Sequence, residues 1–78
     1  MKSTLKILFA DDDLKYSLVL KRFLEREGYE VTYTGNGTMA LEQFPVVKPD
    51  LVLLDINMPG LNGFEVAENI LSLIHISE

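Results

Sequence analysis

Leu5, Ile7, Leu8 and Phe9 form a short apolar run that stops at Asp11, Asp12 and Asp13. A run of that length, ending on turn-forming acids, reads as a buried parallel strand. The period then changes. Tyr16, Val19, Leu20, Phe23, Leu24 and Glu27 recur at three- and four-residue spacing, with Lys15, Lys21, Arg22, Glu25 and Arg26 mainly elsewhere. This predicts an amphipathic helix of about fourteen residues, N-capped by Asp13 and followed by Gly28 just past its end. Tyr29 to Thr34 alternates and is rich in aromatic and β-branched residues, which predicts a second strand. Gly35-Asn36-Gly37 makes a turn, with the two glycines relieving its tightness. Thr38 to Phe44 reads as a short helix stopped by Pro45. The run Leu51–Leu54, apolar on both faces, is a third strand and again ends on an acid, Asp55. After the loop Asn57-Met58-Pro59-Gly60, the positions Phe64, Val66, Ala67 and Ile70 begin a third helix.

The order β-α-β-α-β-α implies a parallel sheet with right-handed crossovers and helices on its faces. Strand or helix spacing assigns Phe9, Tyr16, Phe23, Tyr29, Tyr33, Phe44 and Phe64 to the core. Lys2, Lys15, Lys21 and Arg22 form a solvated face. The chain has 78 residues, enough for one domain. Its 47% apolar and 24% charged residues are an ordinary globular mixture, which argues against disorder. Seven basic against twelve acidic residues give a net charge of −5, so direct binding to a nucleic-acid backbone is not expected. Without cysteine there is neither a disulfide scaffold nor a thiolate metal site. No apolar run approaches a membrane span or a signal peptide, so a cytoplasmic location is expected.

In open parallel sheets, ligands gather at the carboxyl ends of the strands. Two of the three strands end there on carboxylates, Asp11-Asp12-Asp13 and Asp55. One reading makes these only helix caps and a turn former. Acids brought to one sheet edge repel each other, however, and a hard cation between them relieves the repulsion. Oxygen ligands with room for water suit Mg²⁺. A carboxylate beside Mg²⁺ can attack phosphorus and form an aspartyl phosphate.

The segment Lys6-Ile7-Leu8-Phe9-Ala10-Asp11-Asp12-Asp13 resembles the opening of a response-regulator receiver domain, the phosphoacceptor module of two-component signalling. The stretch from Pro49 to Glu65, with its Asp55-x-x-Met58-Pro59-x-x-Asn62-Gly63 pattern, resembles that family more specifically still. The resemblance spans residues 5 to about 70 and implies the flavodoxin-like, three-layer αβα fold, here with three β-α units in strand order 2-1-3. It implies that Asp55 is the phosphoacceptor, that Asp12 is a direct Mg²⁺ ligand and that Asp11 helps hold the ion. Asn57 would offer its backbone carbonyl to the same ion, and Pro59 and Gly63 would shape the loop and start the helix. Asp13 is an N-cap. The implied partner is a sensor histidine kinase or a phosphotransfer protein, and an output domain in the full-length protein. The domain would act as an acceptor rather than an enzyme.

A receiver has five β-α units. The fourth strand with its switch Ser or Thr, and the fifth with the Lys that pairs with the phosphoryl group, are not in this sequence. The 78 residues are therefore expected to be inactive alone, and the third strand to leave an apolar, unpaired edge prone to aggregation. Residues 1–70 read as part of a receiver. Residues 71–78, Leu-Ser-Leu-Ile-His-Ile-Ser-Glu, match the in-frame translation of a sequencing-library adapter, CTG TCT CTT ATA CAC ATC TCC GAG. His75 is accordingly not read as a ligand. Other readings are a phosphohydrolase using Asp11 and Asp13, a binding-only half-receiver, and a dinucleotide site at Gly35-x-Gly37-x-x-Ala40 with Asp55. The last leaves the first acid cluster unexplained.

Overall fold

A computed structural model of the chain describes residues 4–56, 58 and 60–76. Three strands and three helices alternate: β1 (Lys6–Ala10), α1 (Leu14–Arg26), β2 (Glu30–Thr34), α2 (Gly37–Val47), β3 (Leu51–Leu54) and α3 (Gly63–Ile76). The sheet is parallel throughout, in the order β2-β1-β3. Phe9 stands opposite Tyr33 on one side and Leu53 on the other, and Ala10 opposite Thr34 and Leu54. Strand β1 is central, so four of its five residues are buried, whereas β3 at the edge keeps Leu51 exposed and the rest half-buried.

Alternation along the strands divides the core into two layers. Leu8 and Ala10 pack with Ala40 of α2 and with Val66 and Ile70 of α3, while Ile7, Phe9 and Val31 face Leu20 and Leu24 of α1. The result is the expected three-layer αβα arrangement. Local signals set the helix ends. The Asp13 carboxylate accepts the Tyr16 N–H at 3.1 Å, and Gly28 follows the end of α1 with φ 99°, the left-handed geometry that glycine adopts without strain. Asn36 caps α2 by accepting the Met39 N–H at 2.8 Å.

The expected buried face of α1 needs correction. Tyr16, Val19 and Phe23 are exposed, and Ser17, Leu20 and Leu24 turn toward the sheet. Apolar residues occupy well over half the circumference of this helix, from Leu14 through Leu24, while the sheet covers one side only. The small Ser17 lets the helix approach closely, and its buried Oγ has no hydrogen-bond partner among the described residues. Tyr29 and Phe64 are likewise exposed, so of the aromatics assigned to the core Phe9 is buried and Tyr33 and Phe44 are half-buried.

Pro45 does not stop α2, which continues to Val47. In the last turn a proline removes one backbone bond, and the Lys48 N–H closes the helix on the Phe44 carbonyl at 3.0 Å. The two turn glycines also have a different role from the one expected. Neither has positive φ. A Cβ on Gly37 would lie 2.5 Å from the Leu61 carbonyl oxygen and 2.6 Å from Val66 Cγ2, so Gly37 permits the close approach of α2 to the segment entering α3. Among the described residues no helix is long and apolar enough to cross a membrane.

Candidate functional site

The two acidic strand ends meet at one edge of the sheet because β1 and β3 are parallel neighbours. The Asp55 N–H continues their ladder by donating to the Ala10 carbonyl at 3.0 Å, which brings Asp55 level with the acids that follow β1. Carboxylate oxygens of Asp11, Asp12 and Asp55 all lie within 4.8 Å of one another. Asp11 is buried at 8% exposure, Asp55 is half-buried and Asp12 is exposed. Asp13 is not part of this group, since its carboxylate caps α1.

Asp11 and Asp55 are held by their neighbours. The Asp11 N–H donates to the Thr34 carbonyl at 3.2 Å, and the Tyr33 hydroxyl donates to the Asp11 carbonyl at 2.7 Å. The Asp11 carboxylate accepts the Asp13 N–H at 2.9 Å. Behind Asp55, a Cβ on Gly63 would fall 2.5 Å from the Asp55 carbonyl oxygen, so the first residue of α3 rests against the Asp55 backbone. Met58, buried at 4% exposure, ties the intervening loop into the core. Asn62 and Glu65 cap α3 reciprocally: the Asn62 side chain accepts the Glu65 N–H and Glu65 accepts the Asn62 N–H, both at 3.0 Å. That capping box was readable as Asn62-x-x-Glu65 in the sequence. The role of Tyr33 was not, because its reading was that of a core aromatic.

Burial pushes the Asp11 carboxyl above its ordinary value of 3.8; the Asp13 N–H opposes this, and the charge of Asp55 and its hydrogen bond to Asp11 add to it. A buried carboxyl with acidic neighbours and no cation beside it is a site short of positive charge. Three hard oxygen donors within a few ångströms, with Asp12 open to water, fit Mg²⁺, which takes one or two carboxylates and keeps several waters. Asp11, Asp13 and Asp55 line a cleft of about 500 Å³ whose apolar wall includes Phe9, Tyr16, Leu20 and Leu53. Asn57 and Pro59 lie outside the described residues, as do Ser77, Glu78 and the side chain of His75. The expectations placed on them rest on sequence alone.

The response regulator receiver domain model matches residues 7–75. The chain is 43% identical over 61 residues to the DNA-binding response regulator MtrA of Mycobacterium tuberculosis, covering 78% of this chain and 27% of MtrA. It is 39% identical over 61 residues to sporulation initiation phosphotransferase F of Bacillus subtilis, covering 78% of this chain and 49% of that protein. The crystal structure of response regulator TrrA from Thermotoga maritima, in complex with Mg(2+)-BeF, superposes with a TM-score of 0.85 at 43% identity, covering 90% of this chain and 61% of TrrA. The chain thus spans about half the length of the phosphotransferase and about a quarter of MtrA. On the matched residues, the strand order and the meeting of acids at the ends of β1 and β3, the chain belongs to the response regulator receiver domain family.

Proposed function

We propose that Asp55 is the phosphoacceptor of a two-component phosphorelay and that Asp11, Asp12 and the Asn57 backbone carbonyl join it in holding Mg²⁺. The observation that carries this reading is the convergence of the Asp11, Asp12 and Asp55 carboxylates within 4.8 Å. A bound ion there supplies charge neutralisation to the incoming phosphoryl oxygens. The chain's own residues do the positioning. The β1–β3 ladder and Gly63 fix the Asp55 backbone at the margin of the cleft that Asp55 lines. In the transfer, an Asp55 oxygen forms the new bond to phosphorus as the phosphorus–nitrogen bond of a phosphohistidine breaks, and the imidazole leaves. The new dianion then biases the domain between two conformations.

The donor in this reading is a sensor histidine kinase or phosphotransfer protein, in the cytoplasm, and the receiver signals to an output domain in a longer protein. The domain accepts and relays a phosphoryl group and does not turn over a substrate. Residues 1–70 are the receiver portion. The match of eight residues to the translated adapter supports treating residues 71–78 as adapter-derived, although α3 and the family match both continue across that boundary. The 78 residues alone hold the ion but do not accumulate acyl phosphate, because the fourth-strand Ser or Thr and the fifth-strand Lys of a complete receiver are not among them.

A chimera of residues 1–70 with the last two β-α units of a related receiver tests this. Incubated with Mg²⁺ and a small-molecule phosphodonor, the chimera is expected to gain one phosphoryl mass, mapped to Asp55 and lost in Asp55→Asn, while the 78-residue chain stays unlabelled. A label on Asp11 or Asp13 would instead favour phosphohydrolase chemistry. No label on a folded chimera would leave only a binding role.

A further inference from the structure

Strand β2 reaches across to the acid loop through a side chain that packing does not require. The Tyr33 ring lies against Phe9, with centroids 5.7 Å apart and planes tilted by 49°, and a phenylalanine would fill that place equally well. The hydroxyl adds something a ring cannot. It donates to the Asp11 carbonyl at 2.7 Å, from a residue 22 positions further along the chain. The Asp11 N–H is already held by the Thr34 carbonyl at 3.2 Å, so consecutive residues of β2 grip both backbone polar groups of Asp11.

The Asp11 carbonyl and the Asp12 N–H belong to one rigid peptide plane. A donor that fixes the carbonyl therefore fixes the direction in which the chain enters Asp12. Asp12 is the exposed member of the acid group and stands beyond the end of β1, with no ladder of its own to hold it. Tyr16 lines the cleft beside the acids, but the tyrosine whose hydroxyl bonds the backbone of this loop is Tyr33.

We infer that Tyr33 is a positioning residue of the metal site: its hydroxyl holds the Asp11–Asp12 peptide so that the Asp12 carboxylate meets those of Asp11 and Asp55. This rests on the proposed reading of the site as a Mg²⁺ centre. Outer partners that orient metal ligands commonly control affinity. The test is calorimetric titration of the full chain with MgCl₂ at neutral pH, with a metal-free thermal melt alongside, for wild type, Tyr33→Phe and Asp12→Asn. Tyr33→Phe is expected to weaken Mg²⁺ binding about tenfold, with a melting temperature within a few degrees of wild type. Asp12→Asn is expected to lose saturable binding. Equal affinity for Tyr33→Phe and wild type, with binding lost in Asp12→Asn, would overturn the role of Tyr33 and leave the metal site standing. No saturable binding in wild type would overturn the metal site and the inference with it. If Tyr33→Phe does not fold, ring NMR signals of the wild-type chain decide. The inference expects the Tyr33 ring to respond to Mg²⁺ at the affinity seen by calorimetry while Tyr29 does not, and an unresponsive Tyr33 would overturn it.

Discussion

Replacing Gly63 by alanine is expected to remove a large part of the stability of this chain. The added Cβ would sit 2.5 Å from the Asp55 carbonyl oxygen, 2.9 Å from the Asp55 carbonyl carbon and 3.0 Å from the Ile56 Cα. These are backbone atoms of a segment that β1 holds through the Asp55 N–H, so no flexible side-chain end can swing aside. Either α3 lifts off the sheet or the Asp55 backbone is displaced. Lifting α3 also strips Val66 and Ile70 from the core layer they share with Leu8 and Ala10. The expected cost is about 3 kcal/mol, at the upper end for overpacking a close contact. A domain of this length holds roughly 4–12 kcal/mol in total. A thermal melt by circular dichroism should then show a fall of roughly 12–24 °C, together with loss of any Mg²⁺ response. A variant melting within a few degrees of wild type would mean that the contact between α3 and Asp55 is looser than described.

The second large effect runs in the opposite direction. Asp11→Asn is expected to stabilise the metal-free protein at neutral pH and to abolish its stabilisation by Mg²⁺. The Asp11 carboxyl titrates above its ordinary value, first because it is buried and then because Asp55 adds a negative charge beside it. A group whose pKa rises on folding stabilises the fold fully below its unfolded value, and that contribution is lost as pH rises through the folded value. At neutral pH the ionised Asp11 thus works against folding. Asparagine removes the charge, keeps an oxygen for the Asp13 N–H and offers Asp55 a donor. The gain should appear as a melting temperature above that of the wild-type chain. Without metal, the wild-type chain should gain stability as pH falls from neutral toward the carboxylate range, and the variant should gain less. A variant less stable than wild type at neutral pH would contradict this account of Asp11.

The sheet and its acids were legible because they depend on local signals and one topological rule. Apolar runs that end on Asp11 and Asp55, a cap at Asp13 and a stop at Gly28 each carry their own chemistry. Parallel pairing of β1 with β3 then brings the acids together. What could not be read depends on which atoms lie opposite which. Periodicity identifies α1 as amphipathic but does not say that Ser17 rather than Phe23 faces the sheet, because apolar residues flank both. Gly37 looked like a turn residue until the Leu61 carbonyl appeared 2.5 Å from where its Cβ would be. Pro45 reads as a breaker, yet its missing N–H costs α2 only the bond to the Leu41 carbonyl, and so close to the helix end that loss does not stop the last turn. Tyr33 alternates correctly for a core position, and only the register of Phe9 against Tyr33 carries its hydroxyl to Asp11.

The central claim is that one divalent ion is held by the ends of β1 and β3. Its most direct test is to add substoichiometric Mn²⁺ to the ¹⁵N-labelled chain and follow paramagnetic broadening of the amide signals. The account predicts that Asp11, Asp12, Asp13, Asp55, Ile56 and Asn57 broaden first, that excess Mg²⁺ restores them, and that Asp12→Asn abolishes the effect. Broadening spread evenly over surface acids such as Glu25, Glu42 and Glu68, or none reversible by Mg²⁺, would contradict it.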